Sequence, residues 1–195
     1  LKKIAVFASG SGSNAENIIK WFSEKNAIAK VAFVVTNNPK AGVISRCKRL
    51  SIPIFTIKNS ELENSAALIH FLKQNNIEMI VLAGFLRKIN HNLIDAYPNK
   101  IVNIHPSLLP NYGGKGMYGN YVHEAVVKAN EKESGITIHY VNQNYDEGAV
   151  IFQAKCSLEN GETAASLAQK IHQLEQDNFP RVLEQLLQSG SFNQA

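Results

Sequence analysis

Short, uninterrupted apolar runs that alternate with helix-patterned segments confine this chain to one broad architecture. Ile4–Ala8, Val31–Val35 and Met79–Ala83 carry no polar alternation and are too short for buried helices. They read as strands covered on both faces, as in a parallel sheet. Ile52-Pro53-Ile54-Phe55 is a shorter strand, and its proline places it at a sheet edge or a strand start. Between the first two runs, Ala15, Ile18, Ile19 and Phe22 fall on one helical face, and Leu68, Phe71 and Leu72 mark another helix before Met79. Strand, helix, strand in succession predicts an α/β fold, a doubly wound parallel sheet with right-handed crossovers and helices on both faces. From Gly135 the pattern changes. Ile136–Val141 and Ala149–Ala154 are joined by Asn142–Gly148, which predicts a C-terminal antiparallel hairpin and hence a mixed, mostly parallel sheet. Leu167, Ile171 and Leu174 define a last amphipathic helix, with Leu183, Leu186 and Leu187 beyond Pro180, where a kink or a second helical start is expected.

The chain of 195 residues, 45% of them apolar, is long enough to bury a core without staples, and residues 1–190 read as one domain with 191–195 as a flexible tail. Cys47 and Cys156 lie far apart with no metal-binding spacing, as in a reduced, cytoplasmic protein. No apolar run approaches the roughly 20 residues that cross a bilayer, and no signal peptide opens the chain, so no membrane partner is expected. A formal charge of +4, with lysines scattered among acids, gives no nucleic-acid footprint but suits an anionic small molecule.

The fifth strand departs from the apolar rule. In Ile101-Val102-Asn103-Ile104-His105-Pro106, Asn103 and His105 project to one side while Val102 and Ile104 take the other. Pro106 ends sheet pairing and leaves an amide beside an imidazole at the carboxyl end of the strand, where open α/β sheets bind ligands. Two residues bonded together to close a strand would look the same. Gly12, Ser13 and Asn14 follow the first strand, and a glycine turn at a helix start suits a phosphate; a simple tight turn remains open, because the third glycine of a dinucleotide fingerprint is missing. Gly84-Phe85-Leu86-Arg87-Lys88-Ile89 follows the fourth strand, and exposed Leu86 and Ile89 beside Arg87 would form a slot for a flat, partly apolar ligand unless they only anchor the loop. Asn111–Gly119 holds four glycines between positions 113 and 119 and reads as a mobile lid. His123, in a helix over 120–130, has a capping, surface or site role. Asp146 either bonds its own turn or, if brought to His105, raises the imidazole pKa. His91 sits in a polar turn, and His70, His172 and Glu175 read as packing or solvated positions.

Gly12-Ser13-Asn14, Leu82-Ala83-Gly84-Phe85-Leu86-Arg87, Asn103-Ile104-His105-Pro106-Ser107-Leu108-Leu109-Pro110 and the late Asp146-Glu147-Gly148, in this order, closely resemble the folate-dependent phosphoribosylglycinamide formyltransferases of purine synthesis. The resemblance covers nearly the whole chain and implies a single Rossmann-like formyltransferase domain. The Asn103–Pro110 motif is shared with methionyl-tRNA formyltransferases and formyltetrahydrofolate deformylases, whose usual extra domains are not seen, and the Gly12 loop favours the first family. Residue by residue, the resemblance implies Asn103, His105 and Asp146 as the catalytic group. Gly12, Ser13 and Asn14 would hold the substrate phosphate and Glu175 the amine end of glycinamide ribonucleotide. Leu86, Arg87, Lys88 and Ile89, with Asn103, Asn142, Gln143, Asn144, Tyr145 and Asp146, would line the pocket for 10-formyltetrahydrofolate. Its partners would be small molecules, with no nucleic acid, no metal and a monomer or homodimer.

The chain departs from the family in two places: the segment between Pro110 and His123 is longer and richer in glycine, with Tyr121 where some members have histidine, and Asn59–Asn64 lacks an arginine that often touches folate. The chemistry expected is direct attack of an amine on the formyl carbon, with Asn103 and protonated His105 donating to the oxyanion and Asp146 holding that proton in place. Hydrolysis of the formyl folate, or nucleotide binding without catalysis on a flavodoxin-like sheet, are the rival readings.

Overall fold

In a computed structural model, which describes residues 1–24 and 26–190, the apolar runs form the parallel part of one seven-stranded sheet. In chain order the elements are β1 (Lys2–Phe7), α1 (Ser13–Trp21), β2 (Ala29–Thr36), α2 (Val43–Arg49), β3 (Ile54–Thr56), α3 (Asn59–Glu63), α4 (Ala66–Gln74) and β4 (Met79–Leu82). They continue with α5 (His91–Ala96), β5 (Ile101–His105), α6 (Asn120–Lys128), β6 (Glu133–Tyr140), β7 (Val150–Ser157) and α7 (Ala164–Ser189). The strand order is β3-β2-β1-β4-β5-β6-β7. β1 to β5 run parallel to one another, β6 is antiparallel to β5, and β7 is antiparallel to β6. β3 lies at the edge, where its preceding Pro53 withholds no needed ladder bond.

Strand alternation divides the core in two. Ile4, Val6, Val81, Val102, Ile104, Ile136 and Ile138 face one layer with Ile18 and Ile19 of α1 and Leu167, Ile171 and Leu183 of α7. Ala5, Phe7, Ile80, Leu82 and Ile101 face the other, with Leu68 and Leu72 of α4 and Leu93 of α5. Helices therefore cover both faces, as the unbroken apolar strands require.

The chain winds from β1 out to β3 and then crosses back to β4 on the other side of β1. The crossover parts the loops at the carboxyl ends of β1 and β4, the place where such sheets bind ligands. Ser9 ties these loops together. Its hydroxyl donates to Asn37 Oδ1 (2.6 Å) and accepts from the Leu86 backbone N–H (3.0 Å).

One expectation is narrowed and one is corrected. Of the kink or second start expected at Pro180 there is no second start: α7 runs through it as one helix. A proline lacks the N–H that would bond the carbonyl four residues earlier, and Asn17 Nδ2 supplies a donor to the Gln176 carbonyl instead (2.8 Å). His91, expected in a turn, opens α5, whose first turn is capped by the Asn90 side chain accepting from Asn92 N–H (2.8 Å). The expected tail, 191–195, lies outside the described residues. Among the described residues no helix is long and apolar enough to cross a membrane.

Candidate active site

Antiparallel pairing of β5 with β6 builds the centre of the site. The register sets Asn103 opposite His139 and His105 opposite Thr137, and all four point away from the face that buries Ile104 and Ile138. Asn103 Nδ2 donates to His139 Nε2 (3.1 Å), while His139 Nδ1 donates to the Tyr140 carbonyl (2.9 Å), which fixes the tautomer of that ring. Thr137 holds the segment after β5: its hydroxyl donates to the Ser107 carbonyl (2.7 Å) and accepts from Leu109 N–H (3.0 Å).

Asp146, from the β6–β7 connection, reaches this pair. Its Oδ2 lies 3.5 Å from His105 Nδ1 and its Oδ1 3.6 Å from His139 Nε2. Gly114 N–H of the glycine-rich segment donates to Oδ2 (2.9 Å), so the loop expected to be mobile is docked on the carboxylate. The turn that delivers Asp146 depends on Gly148, where a Cβ would stand 1.6 Å from the Tyr140 carbonyl oxygen. Asp146 itself sits at φ 57°, a left-handed conformation that aspartate tolerates better than most residues.

The charge states differ from those expected. Burial pushes the His105 pKa below its ordinary value and outweighs the opposing pull of Asp146 and the Tyr112 carbonyl. The free protein holds a neutral imidazole whose Nε2 donates to that carbonyl (2.8 Å), leaving the Nδ1 lone pair toward Asp146. Burial works to raise the Asp146 pKa, but the approach of the His139 and His105 rings and donation from Gly114 N–H lower it overall. Asp146 is thus a carboxylate with two ring nitrogens and one backbone donor around it.

A cleft of about 650 Å³ opens over these groups, a size that suits a cofactor-sized ligand. Gly12, Ser13, Asn14 and Glu175 line one end. Gly12, at φ 79°, caps α1 with its α-carbon against Val43, where a Cβ would meet the Val43 side chain at 2.5 Å. The amide donors of the first turn of α1 are free of intrahelical partners, as at any helix start. The Asn14 side chain is partly committed: one amide hydrogen of Nδ2 goes to Glu175 Oε2 (2.8 Å) and Oδ1 accepts from Gln176 Nε2 (2.8 Å), which leaves the second amide hydrogen to add to them. Glu175 and His172 likewise are not merely solvated, since His172 Nδ1 lies 3.7 Å from Glu175 Oε2.

At the other end the cleft is walled by Leu86, Arg87, Lys88, Asn142, Asn144 and Tyr145, with Lys88 Nζ 5.6 Å from the Tyr145 ring centre. Two assignments shift. Ile89 is buried, not exposed, because it packs with Phe85 and Leu93, and it contributes only part of the wall. Gln143 turns away into an adjoining polar cleft beside His91. His139 was missed from the sequence, although its alternation with Ile136 and Ile138 carried the same signal as Asn103 and His105. Among the described residues no group of three or more His, Cys, Asp or Glu side chains is placed to hold a metal.

Residues 2–183 match the formyl transferase family. The chain belongs to that family. Among formyl transferases it is 40% identical over 191 residues to phosphoribosylglycinamide formyltransferase of Bacillus subtilis, covering 96% of this chain and 95% of that one. The chloroplastic phosphoribosylglycinamide formyltransferase of Arabidopsis thaliana is 36% identical over 175 residues, 87% of this chain and 60% of that one. The crystal structure of glycinamide ribonucleotide transformylase 1 from Geobacillus kaustophilus superposes with a TM-score of 0.87 at 38% identity, covering 96% and 99% of the two chains.

Proposed function

We propose that this formyltransferase moves the formyl group of 10-formyltetrahydrofolate to the amine of glycinamide ribonucleotide, a step of purine synthesis. The reading is carried by one observation: Asn103, His105 and Asp146 meet at the floor of a cleft whose two ends differ in chemistry. The Gly12–Asn14 end offers helix-start donors to a phosphate and a carboxylate, Glu175, to the amine. The Leu86–Ile89 and Asn142–Tyr145 walls offer apolar and aromatic area to a flat folate.

Attack of the amine on the formyl carbon puts negative charge on the formyl oxygen. Asn103 spends one amide hydrogen on His139 and has the other to donate to that oxygen; such preorganised donors are worth about 3 kcal/mol in related acyl chemistry. His105 is neutral beforehand; the growing oxyanion raises its affinity for the proton that Asp146 carries, so the pair shares that one proton while the charge is present. Asp146, ionised and fixed by Gly114, takes the proton from the attacking nitrogen and passes it to the departing folate nitrogen. His139 holds both Asn103 and Asp146 in register.

Following folate absorbance with glycinamide ribonucleotide present and absent tests this reading. The change should require the ribonucleotide; release of formate without any amine would indicate a hydrolase instead.

A further inference from the structure

His123 is the buried titratable side chain near this site that the chemistry above does not use. It lies in the second turn of α6, 7% exposed, and its Nδ1 is buried without a hydrogen-bond partner. A buried polar atom left unpaired costs free energy, so such an atom marks a place where a partner arrives. α6 packs along α7, the helix that carries Glu175, and Glu175 lines the end of the cleft assigned to the amine.

The reaction has a proton to dispose of there. An alkyl amine at neutral pH is an ammonium ion and cannot attack until it loses one proton. The sum is ammonium plus formyl folate giving formamide, tetrahydrofolate and one proton. The Asp146 route moves the proton released after attack, not this earlier one. We propose that His123 accepts, by way of Glu175, the proton that the substrate ammonium loses before it attacks the formyl carbon. The N–H bond breaks with its electron pair left on nitrogen, a transient Glu175 O–H forms and breaks, and an N–H forms on His123 Nδ1. His123 later releases that proton to solvent. In the free protein Glu175 accepts from Asn14 and forms no ion pair with His123, so the relay requires Glu175 to turn once substrate is bound.

The groups facing His123 and Glu175 suit this. Burial, the largest influence, keeps His123 neutral and able to accept; the Glu175 carboxylate of α7 works the other way, and His105 of β5 reinforces neutrality. His172, on α7, faces Glu175 from the exposed side. His123 is therefore a positioning and proton-accepting partner that acts through Glu175.

The proposal rests on Glu175 as the amine's partner. It is tested by kcat/KM for glycinamide ribonucleotide from pH 6 to 9 in the wild type and in His123→Gln. Without the acceptor only pre-existing free amine reacts, so the variant should lose about tenfold per pH unit below the amine pKa and approach the wild type at pH 9. A loss equal at every pH, or no loss, overturns the proposal. Should that variant not fold, His123→Asn is assayed over the same pH range, and a loss equal at every pH, or none, overturns the proposal. A wild type that does not formylate the ribonucleotide at all would instead sink the reading of the site.

Discussion

His105 and Glu16 show how single side chains set both stability and chemistry. Burial holds His105 and His123 below the ordinary histidine value of 6.5, so each is neutral when folded and freer to protonate when unfolded. The sign follows: their contribution is present above pH 6.5 and is lost as pH falls through the depressed folded values, at most about 1.4 kcal/mol per pH unit per group. Urea unfolding at pH 7.5 and 5.5 should show wild-type stability falling, with a smaller fall in His105→Asn. Glu16 is a different case. It is 7% exposed and receives Lys20, Arg46 and Arg49, which hold its carboxyl at about 2. Its stabilisation is present above pH 4.5 and is lost as pH falls toward 2. Screened by water around the exposed bases, it is worth about 1 kcal/mol. Arg46 also donates to the Ser11 carbonyl (2.8 Å). Glu16→Gln should therefore lower stability by about that amount at pH 7, remove the acid-sensitive part, and raise KM for the ribonucleotide, measurable by unfolding and steady-state kinetics. Asn103 and His105 were legible as polar positions in an apolar strand, whereas Asp146 stood in an ordinary turn and only the family resemblance pointed to it. The charge states were not legible, since burial is a property of the assembled cleft. The role of His139 is not visible within its own strand, because it arises from the β5–β6 register that sets it opposite Asn103.

Among the elements, the β6–β7 connection and α7 carry the most consequence. Gly148 has no space for a side chain beside the Tyr140 carbonyl, so Gly148→Ala should cost about 2 kcal/mol or more and displace Asp146. Thermal denaturation would show the loss of stability, and turnover should fall more than ribonucleotide binding does. Asn17→Ala leaves the Gln176 carbonyl without its donor where Pro180 interrupts the helix ladder, and should cost about 1 kcal/mol. The strands and the amphipathic helices were readable from periodicity, because both report burial directly. The unbroken α7 was not: what rescues Pro180 is a side chain 163 positions away, and no local pattern encodes it. Ile89 and Gln143 failed for a related reason, since a loop sequence gives the order of side chains but not which way each turns.

On the scale of the whole molecule, the return crossing from β3 to β4 decides where everything meets. It opens the sheet between β1 and β4, so the phosphate-type turn and the folate-type loop flank one crevice, and the antiparallel hairpin then swings Asp146 over it. The alternation of strands and helices made the crevice foreseeable; the docking of the glycine-rich loop on Asp146 through Gly114 was not, because it joins segments 32 residues apart in sequence. The claim on which the account turns is that this carboxylate moves protons during transfer rather than merely bracing the cleft. Single-turnover formyl transfer by Asp146→Asn, with folate-analogue affinity measured on the same preparation, tests it most directly. The account predicts a rate lowered roughly 100-fold or more with affinity nearly unchanged. A variant that binds the analogue normally and transfers at the wild-type rate would contradict it.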